Sequence, residues 1–311
     1  WGDVGYMGHP HLKTPVLNEM AAQGLRFDRF YAPAPVCSPS RGGFITGRSP
    51  SRYGNYNYGY ITRSEEITLG ELAQSAGYAT AHYGKWHLGP ALKDHPLSPD
   101  GQGFDDWLSH DNFFDLNPKL SRNGAEPEVV KGETSDILAA ETVRFMRENH
   151  KAGKPFLIVV WFPSPHSGYK AAKKDLELYS HIDDDDKKKK KANYYGELSG
   201  VDRGMGTIRT ALRELGIEKN TFLLFTSDNG PEGAGVNVGL RGGKHKFTEG
   251  GIRVPGIIEW PARITKPAIT SIPAGTIDLF PTIREIIGAK DVAVDRPLDG
   301  MSLLPLFDGK W

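Results

Sequence analysis

Apolar runs of strand length alternate with amphipathic stretches along this chain, the pattern of an α/β layered domain. Phe156-Leu157-Ile158-Val159-Val160-Trp161-Phe162 is continuous and β-rich, which predicts a strand buried on both faces. Residues 221–226 predict a second buried strand, and 78–83 a third, after a short helix over 68–76 closed by Gly77. Residues 15–24 read as a helix capped by Thr14, with Pro15 in its first position and Gly24 at its end. Residues 135–149 carry Ile137, Leu138, Val143 and Met146 on one face, after a Ser or Thr cap. A long helix over 193–215 and a late one over 278–287 complete the pattern. Open α/β sheets bind ligands beyond the carboxyl ends of their strands. Ser164-Pro165-His166 and Ser227-Asp228-Asn229-Gly230 fall at two such ends.

The bulk numbers narrow the class. A chain of 311 residues, 38% hydrophobic and 24% charged, can hold one large α/β domain or one and a half ordinary ones. Its 38 basic and 38 acidic residues cancel, so no global field draws in nucleic acid or an anionic membrane. No apolar run is long enough to span a bilayer. The charge block over 183–191 reads as a solvated loop or helix start. Residues 53–60 interleave Tyr, Asn and Gly, as a surface loop or a sugar-facing rim would. The first residues, Trp1-Gly2-Asp3-Val4-Gly5-Tyr6, read as the middle of a motif, so the lack of a leader is uninformative.

Chemistry enters with Cys37, the one cysteine in the chain. It cannot make an intramolecular disulfide or a multi-thiolate metal site, so it is either an inert buried thiol or a reactive one. Pro39, Arg41 and Gly42-Gly43 read as a loop entering a helix, with Cys37 just before the first turn, where anions are favoured. Arg41 falls in that turn, where the dipole disfavours a cation, which favours placement by a partner over the alternative of an exposed helix cation. Asp228-Asn229 offers adjacent hard oxygens to Ca2+ or Mg2+, or else makes a plain turn. Lys85 and His87, two apart, would share a face in extended structure and converge on an anion; the alternative is a surface lysine and a packed histidine. His166 suits a proton donor to a leaving oxygen, or a structural role.

Five segments, taken in order, resemble the formylglycine-dependent (type I) sulfatases of the alkaline phosphatase-like superfamily. They are Cys-x-Pro-x-Arg continued as Gly42-Gly43-Phe44-Ile45-Thr46-Gly47-Arg48; Gly84-Lys85-Trp86-His87-Leu88-Gly89; Pro163-Ser164-Pro165-His166; Ser227-Asp228-Asn229-Gly230; and the stretch over 240–255 around Glu249-Gly250-Gly251. The resemblance implies a three-layer sandwich, a central mostly parallel sheet between helices, and one catalytic domain over 1–311. It implies that a formylglycine-generating or anaerobic maturation enzyme oxidises Cys37 to Cα-formylglycine. The hydrated aldehyde attacks sulfur, His166 protonates the leaving oxygen, and the sulfated hemiacetal eliminates sulfate. By the same likeness Lys85 bridges sulfate and nucleophile. His87 bonds the gem-diol and takes a proton as the hemiacetal collapses. Arg41 holds the gem-diol, and Lys244 contacts sulfate with Lys246 as runner-up. The modified Cys37, Asp228 and Asn229 bind Ca2+, with Mg2+ as the alternative.

Two family parts are expected outside the chain: an Asp-Asp metal pair before Trp1, which makes Asp3 the later, non-ligating aspartate, and a small C-terminal subdomain. His245 and Lys246 depart from the small residues usual there. The implied substrate is a sulfate ester, on a sulfated polysaccharide or oligosaccharide, met in the periplasm or outside the cell. Rim loops over 55–60, 105–117 and 245–246 would read it. A phosphate or phosphonate monoester hydrolase of the same superfamily, a non-catalytic glycan-binding relative and an ordinary thiol hydrolase are the rival readings.

Overall fold

Among the described residues, two five-stranded sheets, each mixing parallel and antiparallel pairs, carry the fold. The computed structural model describes residues 1–59, 63–112, 116–182, 186–289 and 296–310, without the side chains of 186–189. Its strands are β1 (Leu25–Tyr31), β2 (Ala79–Lys85), β3 (Asp106–His110), β4 (Lys119–Arg122), β5 (Glu128–Val129), β6 (Phe156–Trp161), β7 (Leu223–Thr226), β8 (Arg253–Glu259), β9 (Ala268–Thr270) and β10 (Ala274–Gly275). Its α-helices are α1 (Pro15–Gln23), α2 (Cys37–Thr46), α3 (Pro50–Tyr53), α4 (Leu69–Ser75), α5 (Thr134–Lys151), α6 (Lys173–Leu176), α7 (Asp186–Glu214), α8 (Glu249–Ile252), α9 (Leu279–Ile286) and α10 (Leu304–Phe307).

One sheet runs β10-β1-β8-β7, with β9 beside β1; the other runs β5-β4-β3-β2-β6. β2 lies parallel to both β3 and β6, whereas β8 is antiparallel to both β1 and β7. Helices cover both faces, giving the α/β sandwich that the pattern predicts. On one side Phe27, Phe30, Val254 and Ile258 pack with Leu69, Leu72, Leu279 and Phe280. On the other, Ile257 packs with Leu17 and Met20 of α1, Val143 and Met146 of α5, and Met205 and Ile208 of α7. Each large apolar side chain so buried contributes roughly 1.5–3 kcal/mol.

β6 and β7 differ from expectation. Apart from Val159 they are only half-buried, not enclosed on both faces. Each pairs on one side alone among the described residues, and a cavity of about 1000 Å³ is lined by both strands and the residues flanking them, 156–162 and 221–226.

Local signals had mixed outcomes. Thr68 caps α4 in a reciprocal box with Glu71, at 3.2 and 2.9 Å. Thr14 does not cap α1: its hydroxyl accepts from Gly5 N–H, and Asp202 of α7 accepts from Val16 and Leu17 N–H instead. Glu133, not a Ser or Thr, caps α5. The lysine block enters helix α7. Of the loop expected over 105–117, residues 106–110 are strand β3, and 113–115 lie outside the described residues, as does Tyr60.

Candidate active site

Strand ends and one helix N-terminus converge here. Cys37 is the first residue of α2, with extended Val36 as its N-cap, so it lies in the first turn and not before it. It is buried, with no disulfide. Pro39 suits this turn because its missing N–H has no acceptor there.

Arg41, one turn on, is also buried. Its Nε and Nη2 donate to Asp228 Oδ2 at 3.0 and 2.8 Å, and Nη1 donates to the Lys85 carbonyl at 2.8 Å. Its guanidinium stacks over Trp161, 4.8 Å from the ring centre. Arg41 therefore lies beyond the first turn where the sequence reading put it, and these contacts partner its charge.

Lys85 is the last residue of β2 and is fully enclosed. The strand runs two residues further than the sequence pattern predicts. Gly84 lets it do so: it has φ +107°, and a Cβ there would collide with the Trp161 carbonyl. His87 does not share a strand face with Lys85, because it takes a left-handed φ of +57°. The bend still keeps His87 within the electrostatic reach of Lys85, Arg41, Asp228 and His166. Burial, then Lys85 and Arg41, push His87 down to about 3, so it is neutral. Burial and Arg41 also lower Lys85. Asp228 moves down despite its burial, because Arg41 and Lys85 stabilise the carboxylate.

Beyond β6, His166 Nε2 stands 3.2 Å from Lys244 Nζ. Burial, then Lys244 and Lys85, push His166 down to about 4. At neutral pH it is therefore an imidazole that accepts from the Lys244 ammonium. Lys244 moves the other way: against burial, Cys37 and Glu232 raise it. Glu232 Oε2 accepts from Lys244 Nζ at 2.8 Å. Lys246 is exposed, so of the two candidate lysines only Lys244 lines the site cavity with Cys37, Arg41, Lys85 and His166.

Asp228 and Asn229 close the cavity beyond β7. The loop that holds them packs tightly: Gly230 N–H donates to the Gly251 carbonyl, and a Cβ on Gly230 would collide with the Gly250 carbonyl. Asn229 Oδ1 is buried with no hydrogen-bond partner among the described residues, a hard donor beside a carboxylate. These two residues fit part of a Ca2+ or Mg2+ shell. Among the described residues, no group of three or more His, Cys, Asp or Glu gathers to complete one. Asp3 is committed elsewhere, accepting from Tyr194 Oη and Val236 N–H.

The motif reading passed over Trp161, Tyr169 and Glu232. Glu232 had a signal, since Pro231-Glu232 directly follows Ser227-Asp228-Asn229-Gly230.

Comparison with known proteins gives a consistent picture. The sulfatase family model matches residues 1–289. N-acetylgalactosamine-6-sulfatase of Rattus norvegicus is 33% identical over 98% of this chain and 63% of its own length. Arylsulfatase A of Homo sapiens is 33% identical over 99% of this chain and 66% of its own. The chain thus spans under two thirds of these relatives. A crystal structure of Ps i-CgsB in complex with k-i-k-neocarrahexaose superposes with a TM-score of 0.91 and 26% identity, covering all of this chain and 74% of the other.

Proposed function

The chain belongs to the sulfatase family, and on that premise we propose that it hydrolyses a sulfate ester carried by a sulfated glycan. One observation carries the reading: Lys85 and Lys244 bring their charges to Cys37 at the N-terminus of α2, Arg41 lines the same cavity, and His166 stands against Lys244. Cationic donors aimed where charge develops on sulfate oxygens supply the largest part of such catalysis. The glycan assignment draws on a relative named for N-acetylgalactosamine 6-sulfate and a structural neighbour crystallised with neocarrahexaose.

When Cys37 is matured to formylglycine it supplies the nucleophilic oxygen; Asp228 and Asn229 would hold Ca2+, or Mg2+, which when bound would supply charge screening there. Arg41 ties α2 to Asp228 one turn past Cys37. Lys85 and Lys244 bind the ester anion. His87, neutral, accepts a proton from the nucleophile side. The proton for the leaving oxygen belongs to the Lys244–His166 pair and not to His166 alone, since the free imidazole is unprotonated at neutral pH.

The Asp-Asp pair that the resemblance puts before Trp1 would have a place in this fold. A strand entering the cavity between β6 and β7 would pair with both free edges and bring its carboxylates toward Asp228 and Asn229 on the same lining. The maturation enzyme is the partner this reading requires. The periplasm or the extracellular space is the assigned compartment; no helix among the described residues is long and apolar enough to cross a membrane.

The test is a desulfation screen of sulfated glycans on the full-length, matured enzyme, paired with sulfate and phosphate esters of one alcohol. Turnover of the sulfate ester at least tenfold above the phosphate ester supports the reading, by about 1.4 kcal/mol of transition-state preference. Preference for the phosphate ester would overturn it.

A further inference from the structure

Glu232 lies outside the five motif segments, yet it holds one of their central cations. Its carboxylate accepts from Lys244 Nζ at 2.8 Å, and the same nitrogen stands 3.2 Å from His166 Nε2. Main chain fixes both partners. Lys244 N–H donates to the carbonyl of Pro231, the residue before Glu232, at 3.0 Å. Tyr169, three residues past His166, donates its hydroxyl to the Glu232 carbonyl at 3.0 Å, and its ring packs edge-on against Tyr194. The loops bearing His166, Glu232 and Lys244 are therefore laced into one unit.

We infer that Glu232 is a positioning residue: it holds the Lys244 ammonium against His166 on the leaving-group side of the cavity. A lysine has a flexible four-carbon stem and a point charge that follows the nearest anion. Without a fixed acceptor behind it, Lys244 would swing wholly to the bound ester anion and away from His166. Glu232 divides the ammonium's donors between carboxylate, imidazole and substrate, so a proton remains within reach of the departing oxygen. The role predicts dependence on the leaving group. A poor leaving alcohol needs the proton; a nitrophenolate leaves without it.

This inference rests on the sulfatase reading above, and the experiment separates the two. Matured wild type, Glu232→Gln and Glu232→Asp are assayed on a monosaccharide sulfate and on nitrophenyl sulfate, with kcat and KM resolved. Glu232→Gln is expected to lose about 10- to 100-fold in kcat on the sugar ester, and less than about threefold on the nitrophenyl ester. Glu232→Asp is expected to recover most of the loss. The nitrophenyl arm also shows that each variant is folded. Equal losses on both esters, or an unchanged kcat on the sugar ester, would overturn the positioning role. Wild-type inertness toward both esters would overturn this inference and the sulfatase reading together.

Discussion

Arg41 grips Asp228 by two nitrogens on one carboxylate oxygen, Nε at 3.0 Å and Nη2 at 2.8 Å. The contact binds α2, one turn past Cys37, to the end of β7 through Asp228 Oδ2. Arg41→Ala should cut kcat/KM by about 100-fold or more, because it removes a charge beside the nucleophile and frees Asp228. It should also cost on the order of 1–3 kcal/mol of stability, discounted for an Asp228 side chain that is 26% exposed. Steady-state kinetics with a urea titration checks both. A variant with near-normal turnover would remove Arg41 from the account.

Chelation should abolish turnover, and Ca2+ should restore it. Asn229 Oδ1 is buried and unpartnered among the described residues, so Asn229→Ala removes a ligand and breaks no hydrogen bond to them through that atom. The Ca2+ concentration for half-maximal activity should rise by about tenfold or more, the usual scale for a lost ligand interaction. A Ca2+ titration of dialysed enzyme reads this directly; an unshifted midpoint would mean the ion sits elsewhere.

The two candidate lysines are separable. Lys244→Ala should lower kcat/KM by roughly 10- to 100-fold, the worth of a charge-assisted contact. Lys246, exposed to solvent, should tolerate alanine within about twofold on a small ester. Equal losses would place both at the substrate.

His9 predicts an acid-sensitive stability with a definite sign. Its Nδ1 accepts from the Leu12 and His11 N–H groups, and burial, then His11, push it down to about 4. Between pH 6.5 and about 4 the unfolded chain binds a proton there that the folded chain does not, so stability falls as pH falls through this window. His9→Asn keeps an acceptor without the titration. Relative to wild type it should gain on the order of 1–2 kcal/mol between pH 7 and pH 5. Thermal melts at the two pH values check it; parallel losses in both proteins would refute the assignment.

Legibility in the sequence followed the range of the interaction. The Thr68–Glu71 box is local, lying within the first four residues of the helix that the pattern predicts over 68–76. The cap of α1 is not local: Asp202 comes from a helix far along the chain, so no window around Thr14 contains it. β1 escaped because a bulge between Phe27 and Phe30 breaks the two-residue alternation and buries both rings. Within the site, residue types and spacing leave structural alternatives open for Arg41, Lys85, His166 and Asp228, and it is the resemblance of their motifs that picks them out. The left-handed bend at His87 and the Glu232–Lys244 contact needed coordinates, since backbone handedness and a salt bridge between loops leave no periodic trace.

The central claim is that Cys37 is a precursor and not the working thiol. Peptide mass spectrometry across residues 36–48 should be run on enzyme from a maturation-competent host, beside an assay of sulfate-ester hydrolysis on the same sample. The account predicts that activity scales with the fraction of residue 37 found as the aldehyde, and that Cys37→Ala has none. Full activity with residue 37 present wholly as unmodified cysteine would contradict it.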